Sequence, residues 1–133
     1  MSHADVTLIQ SLYAAFGRGD IATIVAAMAP DVSWTVTGRR SDYPALGTWK
    51  GPQQVQDFFR IVGETEEAID FSPQEFHAVD GKVFVTGHYA WKLRKTGRTV
   101  SSDWIHIFTL RGGKVTQFRE FNDTAQFAEA YRG

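Results

Sequence analysis

The chain contains no cysteine, which removes disulfide scaffolds, thiolate metal sites and cysteine nucleophiles together and leaves the redox compartment open. Charge of one sign is not in excess either. With 14 Lys and Arg against 15 Asp and Glu, there is no basic stripe to neutralise a phosphate backbone, so no nucleic acid partner is expected. Nowhere do about 18 consecutive apolar residues occur, and the opening MSHADVTLIQ has neither a basic start nor a long apolar stretch, which predicts a cytoplasmic protein with no membrane partner. No P-loop, GxGxxG or GxSxG pattern is present, so nucleotide binding and serine hydrolysis lack their required parts. Repeats, low-complexity segments and linkers are absent as well.

What is there is apolar and aromatic. The 133 residues are 43% hydrophobic and 14% aromatic, enough for one well-buried domain spanning 1–133. Ile9, Leu12, Tyr13 and Phe16 recur at helical spacing until Gly17-Arg18-Gly19, predicting a first helix over 3–16. Asp20 suits an N-cap, and Ile21, Ile24, Val25 and Met28 form a second short stripe ending before Pro30. Residues 32–36 alternate as a strand. Residues 37–50 show no period and read as an ordered loop at the rim of a pocket, a solvated loop with one anchoring aromatic or, alternatively, one in which Tyr43 or Trp49 acts as a lid. A third helix runs from Pro52 to Gly63. Four strands follow, at 68–79, 82–93, 98–110 and 114–121, with Pro73 marking an edge or a bulge. Asp123 caps a closing helix carrying Phe127, Ala128 and Tyr131.

Helices first and strands after give an α+β fold, a cone in which a curved antiparallel sheet wraps around the N-terminal helices. Such a cone has a pocket. Apolar residues on both faces of the last strands, as in Val83-Phe84-Val85, call for a cover on the outer face, and a second copy in a homodimer is the simplest one.

Strand register decides the chemistry. Three-residue loops at 96–98 and 112–114 would set His88 opposite His106 and His106 opposite Glu120, so that all three share one rung. Two-residue loops would scatter the set. With His106 inward, Asp103 points to the other face. On the shared-rung reading Glu120, His88 and His106 are the catalytic candidates, walled by Tyr13, Trp34, Val36, Phe58, Trp104 and Phe118. Two histidines and a carboxylate also match a metal set, but without HxH or HExxH spacing no metal is expected. The carboxylates Glu64, Glu66, Glu67 and Asp70 read as an acidic, solvated connection.

The stretches YAAFGRGD, DVSW, WKGPQQVQDFF and DWIHIFTLRGGKVTQFREFND resemble the nuclear-transport-factor-2-like superfamily, and more closely its SnoaL-like, ketosteroid-isomerase-related branch. The resemblance implies the cone fold over nearly the whole chain. It implies one activity less directly, since isomerases, cyclases, epoxide hydrolases and non-catalytic members share that fold. The first-strand base of steroid isomerases falls in Trp34-Thr35-Val36, where there is no acid. Their helix-one tyrosine falls at Leu12, beside Tyr13, and their strand acid at His106. The Asp, Arg, Asp set of limonene-epoxide-hydrolase-like members falls on Glu120, His88 and Ala90. SnoaL-like cyclases take their base from a pocket acid, for which Glu120 is the counterpart. These readings converge on a cofactor-free isomerase, cyclase or hydrolase acting on an apolar small-molecule ligand by general acid/base chemistry. The alternative is a non-catalytic ligand-binding or protein-interaction domain of the same fold.

Overall fold

A computed structural model describes residues 2–133. Helix α1 (Ser2–Gly17) buries Ile9 and Leu12 and ends where Gly19 takes φ 74°, with the Asp20 amide donating to the Ala15 carbonyl at 2.8 Å. That left-handed closure is cheap only for glycine. Asp20 then caps α2 (Ile21–Ala26), its carboxylate accepting from the Thr23 amide at 3.1 Å. Strand β1 (Met28–Val36) starts earlier than its alternation suggests, because the pairing shifts between Met28 and Ser33 around Pro30.

The loop expected over 37–50 is shorter than that. Its last residues form β2 (Gly47–Lys50), an edge strand antiparallel to β1. Four residues are too few to display a period, so β2 is defined by its partner. Arg40 holds the remaining loop: its guanidinium donates to the Leu46 and Thr48 carbonyls at 3.1 and 2.9 Å and lies 3.9 Å over the Trp49 ring. Tyr43 is 1% and Trp49 7% exposed, so the loop is anchored in the core by two aromatics where one was expected, and neither forms a lid.

Helix α3 (Gly51–Thr65) opens on Pro52 and buries Val55, Phe58 and Val62. Strands β3 (Glu66–Val79), β4 (Lys82–Leu93), β5 (Thr99–Arg111) and β6 (Lys114–Phe121) complete a sheet of order β2-β1-β6-β5-β4-β3. β3 is an edge, and its register shifts next to Pro73, where the missing N–H costs no ladder bond. α1 packs on β3 and β4, and α3 on β1. Asp123 caps α4 (Thr124–Arg132) through the Gln126 amide at 3.2 Å.

Two registers determine the site. Between β5 and β6, His106 does lie opposite Glu120, but by a different route from a three-residue loop. Arg111 pairs with Lys114 around Gly112 and Gly113, and an irregularity near Leu110 restores the parity. Between β4 and β5 the expectation fails: Lys92 pairs with Thr99 and His88 with Asp103, so the intervening connection is even-numbered and His88 leaves the His106 face. On β4 the inward set is Val83, Val85, Tyr89, Trp91 and Leu93, all buried, with Gly87 between them.

Candidate active site

A cavity of about 90 Å³ lies between the helices and the concave sheet face. Phe58, Trp34, Phe118 and Phe108 are among the aromatics of its wall, with Trp34 and Phe118 stacked at 3.8 Å. Polar groups enter at two places.

The first is a chain of three side chains from three elements. The Tyr13 hydroxyl, on α1, lies 2.7 Å from Nδ1 of His106 on β5, and Nε2 of His106 lies 2.8 Å from Oε1 of Glu120 on β6. Oε2 of Glu120 accepts from the Tyr89 hydroxyl at 2.8 Å and from Asn122 Nδ2 at 2.6 Å. Burial would raise the Glu120 carboxyl. The hydrogen bond and charge of His106, with the bonds from Asn122 and Tyr89, outweigh that and hold it below the ordinary carboxylate value. Desolvation first and the Glu120 charge second push the Tyr13 phenol well above its usual value. The imidazole is fixed on one face by Trp104, which stacks on it at 3.9 Å, and at its edge by the Tyr13 hydroxyl on Nδ1. Trp104 occupies the place a side chain would take on Gly87, where an added Cβ would sit 2.3 Å from its ring.

Proton counting gives this chain two end states. With Glu120 ionised and His106 neutral, Nε2–H donates to the carboxylate and Tyr13 donates to Nδ1. With one proton more, His106 is an imidazolium whose Nδ1–H donates to the Tyr13 oxygen, and the phenol keeps its own proton and turns it toward the cavity. A chain bonded in this way can pass a proton along its length, with the Tyr13 oxygen as its outer atom.

The second polar place is Glu66, at the start of β3, which is 7% exposed and lines the same cavity. The expectation of a solvated acid is corrected at this position. Oε2 of Glu66 shares a short hydrogen bond with the Tyr43 hydroxyl, which also lies 3.2 Å from Thr65 Oγ1, and Thr65 Oγ1 donates to the Ile61 carbonyl at 2.7 Å. Burial, partly opposed by the Tyr43 bond and reinforced by the Glu120 charge, pushes the Glu66 carboxyl up to about 8.

Of the residues singled out from sequence, Glu120, His106, Tyr13, Trp34, Val36, Phe58 and Phe118 all line this cavity. Trp104 is buried behind His106 and is not part of the lining. His88 is on the outer face, where Nδ1 lies 3.0 Å from Asp103 Oδ1 and Nε2 lies 3.0 Å from Ser101 Oγ. Its removal dissolves the two-histidine, one-carboxylate set, and among the described residues no group of His, Asp and Glu is arranged to hold a metal ion. Asp103 points outward, 94% exposed, as its spacing from His106 requires. Tyr89, Asn122 and Glu66 were missed as cavity groups. Tyr89 could have been found from the alternation of β4, and Asn122 from its place just beyond Glu120. Nothing in the run of acids around Glu66 marks it as the buried one.

The helices and the curved sheet enclose an aromatic cavity in which Glu120, His106 and Tyr13 are hydrogen-bonded in series. Residues 9–118 match the model of the SnoaL-like domain, and the chain belongs to that family, within the NTF2-like superfamily. An uncharacterised protein of Mycobacterium tuberculosis is 28% identical over 123 residues, covering 89% of this chain and 88% of its own. The crystal structure of an NTF2-like protein from Burkholderia xenovorans superposes with a TM-score of 0.88 at 31% identity, covering 98% of each chain. TerC, crystallised with polyporic acid, superposes with a TM-score of 0.84 at 29% identity over 97% of this chain and 98% of its own.

Proposed function

We propose that this SnoaL-like protein is a cofactor-free enzyme that moves a proton on an apolar, oxygen-bearing small molecule, with the Tyr13–His106–Glu120 relay as the proton acceptor. The observation that carries the reading is the pair of short bonds, 2.7 and 2.8 Å, joining a phenol at the cavity to an anchored carboxylate through one imidazole. A ligand proton passes to the Tyr13 oxygen as the phenol's own proton moves to Nδ1 of His106. The imidazolium so formed is held by the Glu120 carboxylate, and reversal returns the proton to the ligand. Glu120, with three donors already on it, orients and stabilises the relay, and the atom that meets substrate is the Tyr13 oxygen. Co-crystallisation of TerC with polyporic acid supports a small organic ligand for this fold and sequence neighbourhood.

Exchange of the C2 protons of 1-tetralone, a bicyclic aryl ketone, into D2O followed by NMR tests the relay. The wild-type protein is expected to accelerate exchange over buffer, and Glu120→Gln and Tyr13→Phe are each expected to slow it by about a hundredfold or more. His88→Ala should leave the rate unchanged. Binding without any acceleration would favour the non-catalytic reading of the fold, and a rate indifferent to Glu120→Gln would remove the relay from the mechanism.

A further inference from the structure

Glu120 and Glu66 line one cavity but are solvated by the protein in opposite ways. Glu120 accepts from His106, Tyr89 and Asn122, the number of donors that keeps a buried carboxylate ionised. Glu66 is equally shut off from water, yet Tyr43 is its one hydrogen-bonding partner, and among the described residues no Lys, Arg or His nitrogen pairs with it. An ionised carboxylate with a single neutral donor is a poor occupant of such a site.

The neighbouring bonds leave one carboxyl oxygen free. Thr65 donates its proton to the Ile61 carbonyl, and the Tyr43 hydroxyl donates its single proton to Oε2 of Glu66. A neutral carboxyl then carries its own proton on Oε1, which has no protein partner among the described residues and can donate to a ligand oxygen.

We infer that Glu66 is a neutral carboxylic acid that donates a hydrogen bond into the cavity, so that the site selects ligands with an uncharged carbonyl oxygen over hydrocarbons of the same shape. The ligand class is an uncharged ketone with an apolar body, matched to the aromatic wall of the cavity. This deepens the proposed function by naming what the second polar place recognises, and it rests on that reading only for the cavity being a ligand site. The pairing of an ionised acid with a neutral one also leaves the cavity repelling carboxylate ligands through Glu120.

Equilibrium binding of 1-tetralone and of tetralin, its oxygen-free analogue, followed by tryptophan fluorescence, tests the inference without requiring turnover. Wild-type protein at neutral pH is expected to prefer the ketone over tetralin by about tenfold, the scale of one buried hydrogen bond. Glu66→Leu should abolish the preference while still binding tetralin. Glu66→Gln, which keeps a donor, should retain most of it. The wild-type preference should fall above about pH 8, and that of Glu66→Gln should not. A preference that survives in Glu66→Leu, one that does not change with pH in the wild type, or failure of the ketone to bind would each overturn the inference. A preference that depends on Glu66 in a protein that does not accelerate C2 exchange would uphold it while refuting the relay.

Discussion

Replacing Glu66 by Gln changes how stability depends on pH, and the sign follows from where the proton is held. The group titrates at its ordinary value of 4.5 in the unfolded chain and at about 8 in the folded one. Between those values the folded state binds more protons than the unfolded state, so this group's contribution is fully present below about pH 4.5 and is lost as pH rises to about 8, above which it is flat. At 1.36 kcal/mol per pH unit, rounded off near both ends, the wild-type protein loses roughly 3 kcal/mol from this group between about pH 5 and pH 8. Gln is an uncharged isostere that keeps one donor and one acceptor for Tyr43, and it does not titrate. Groups elsewhere contribute nearly equally to both proteins and cancel in the comparison. Urea unfolding at several pH values should therefore show the variant gaining roughly 3 kcal/mol on the wild type across that interval, equivalent to about 10 °C in Tm for a chain of this length. Parallel profiles would show that Glu66 is ionised in the folded protein or reached by water, and would refute the argument from its missing donors.

Two further outcomes follow from the geometry. Gly87→Ala would place a Cβ 2.3 Å from the Trp104 ring and 2.7 Å from the Ser72 carbonyl oxygen, so it should cost about 2–4 kcal/mol in urea unfolding. Displacement of Trp104 from His106 should also slow 1-tetralone exchange, and an unperturbed protein would mean that the strands separate freely there. The outer face of β4, β5 and β6 carries Phe84, Ile105, Ile107 and Phe121 on adjoining rungs, and a second copy of the chain is the expected cover. Light scattering at micromolar concentration should give twice the chain mass, and a monomer would refute this.

Much of the fold was legible because helices and strands of this length repeat their pattern several times. The stripes of α1 and α3, the capping aspartates 20 and 123 and the edge position announced by Pro73 all act through neighbours in sequence. β2 was not legible, since its four residues become a strand only through hydrogen bonds to β1. The misplacement of His88 is instructive, because the information was present. Val83, Val85, Tyr89, Trp91 and Leu93 share one parity and the more polar Thr86, His88 and Lys92 the other, which puts His88 outside whatever turn joins β4 to β5. Counting loop residues was the weaker guide, since a single extra residue inverts a strand's faces whereas an alternation over six rungs does not.

The sequence by itself determined the α+β order, the strand alternation and the supply of ionisable groups, because each depends on the backbone's local periodicity and on side-chain chemistry. Only tertiary structure decided which of those groups meet. The Tyr13–His106 contact joins positions 93 apart and His106–Glu120 joins positions 14 apart, and both depend on register between strands and on the seating of α1 against the sheet. Glu66 differs from its exposed neighbours Glu64 and Glu67 in nothing the chain carries locally. It lies at the point where α3 gives way to β3, and the packing of Tyr43 against that corner excludes water and leaves a carboxyl with too few donors to hold a charge.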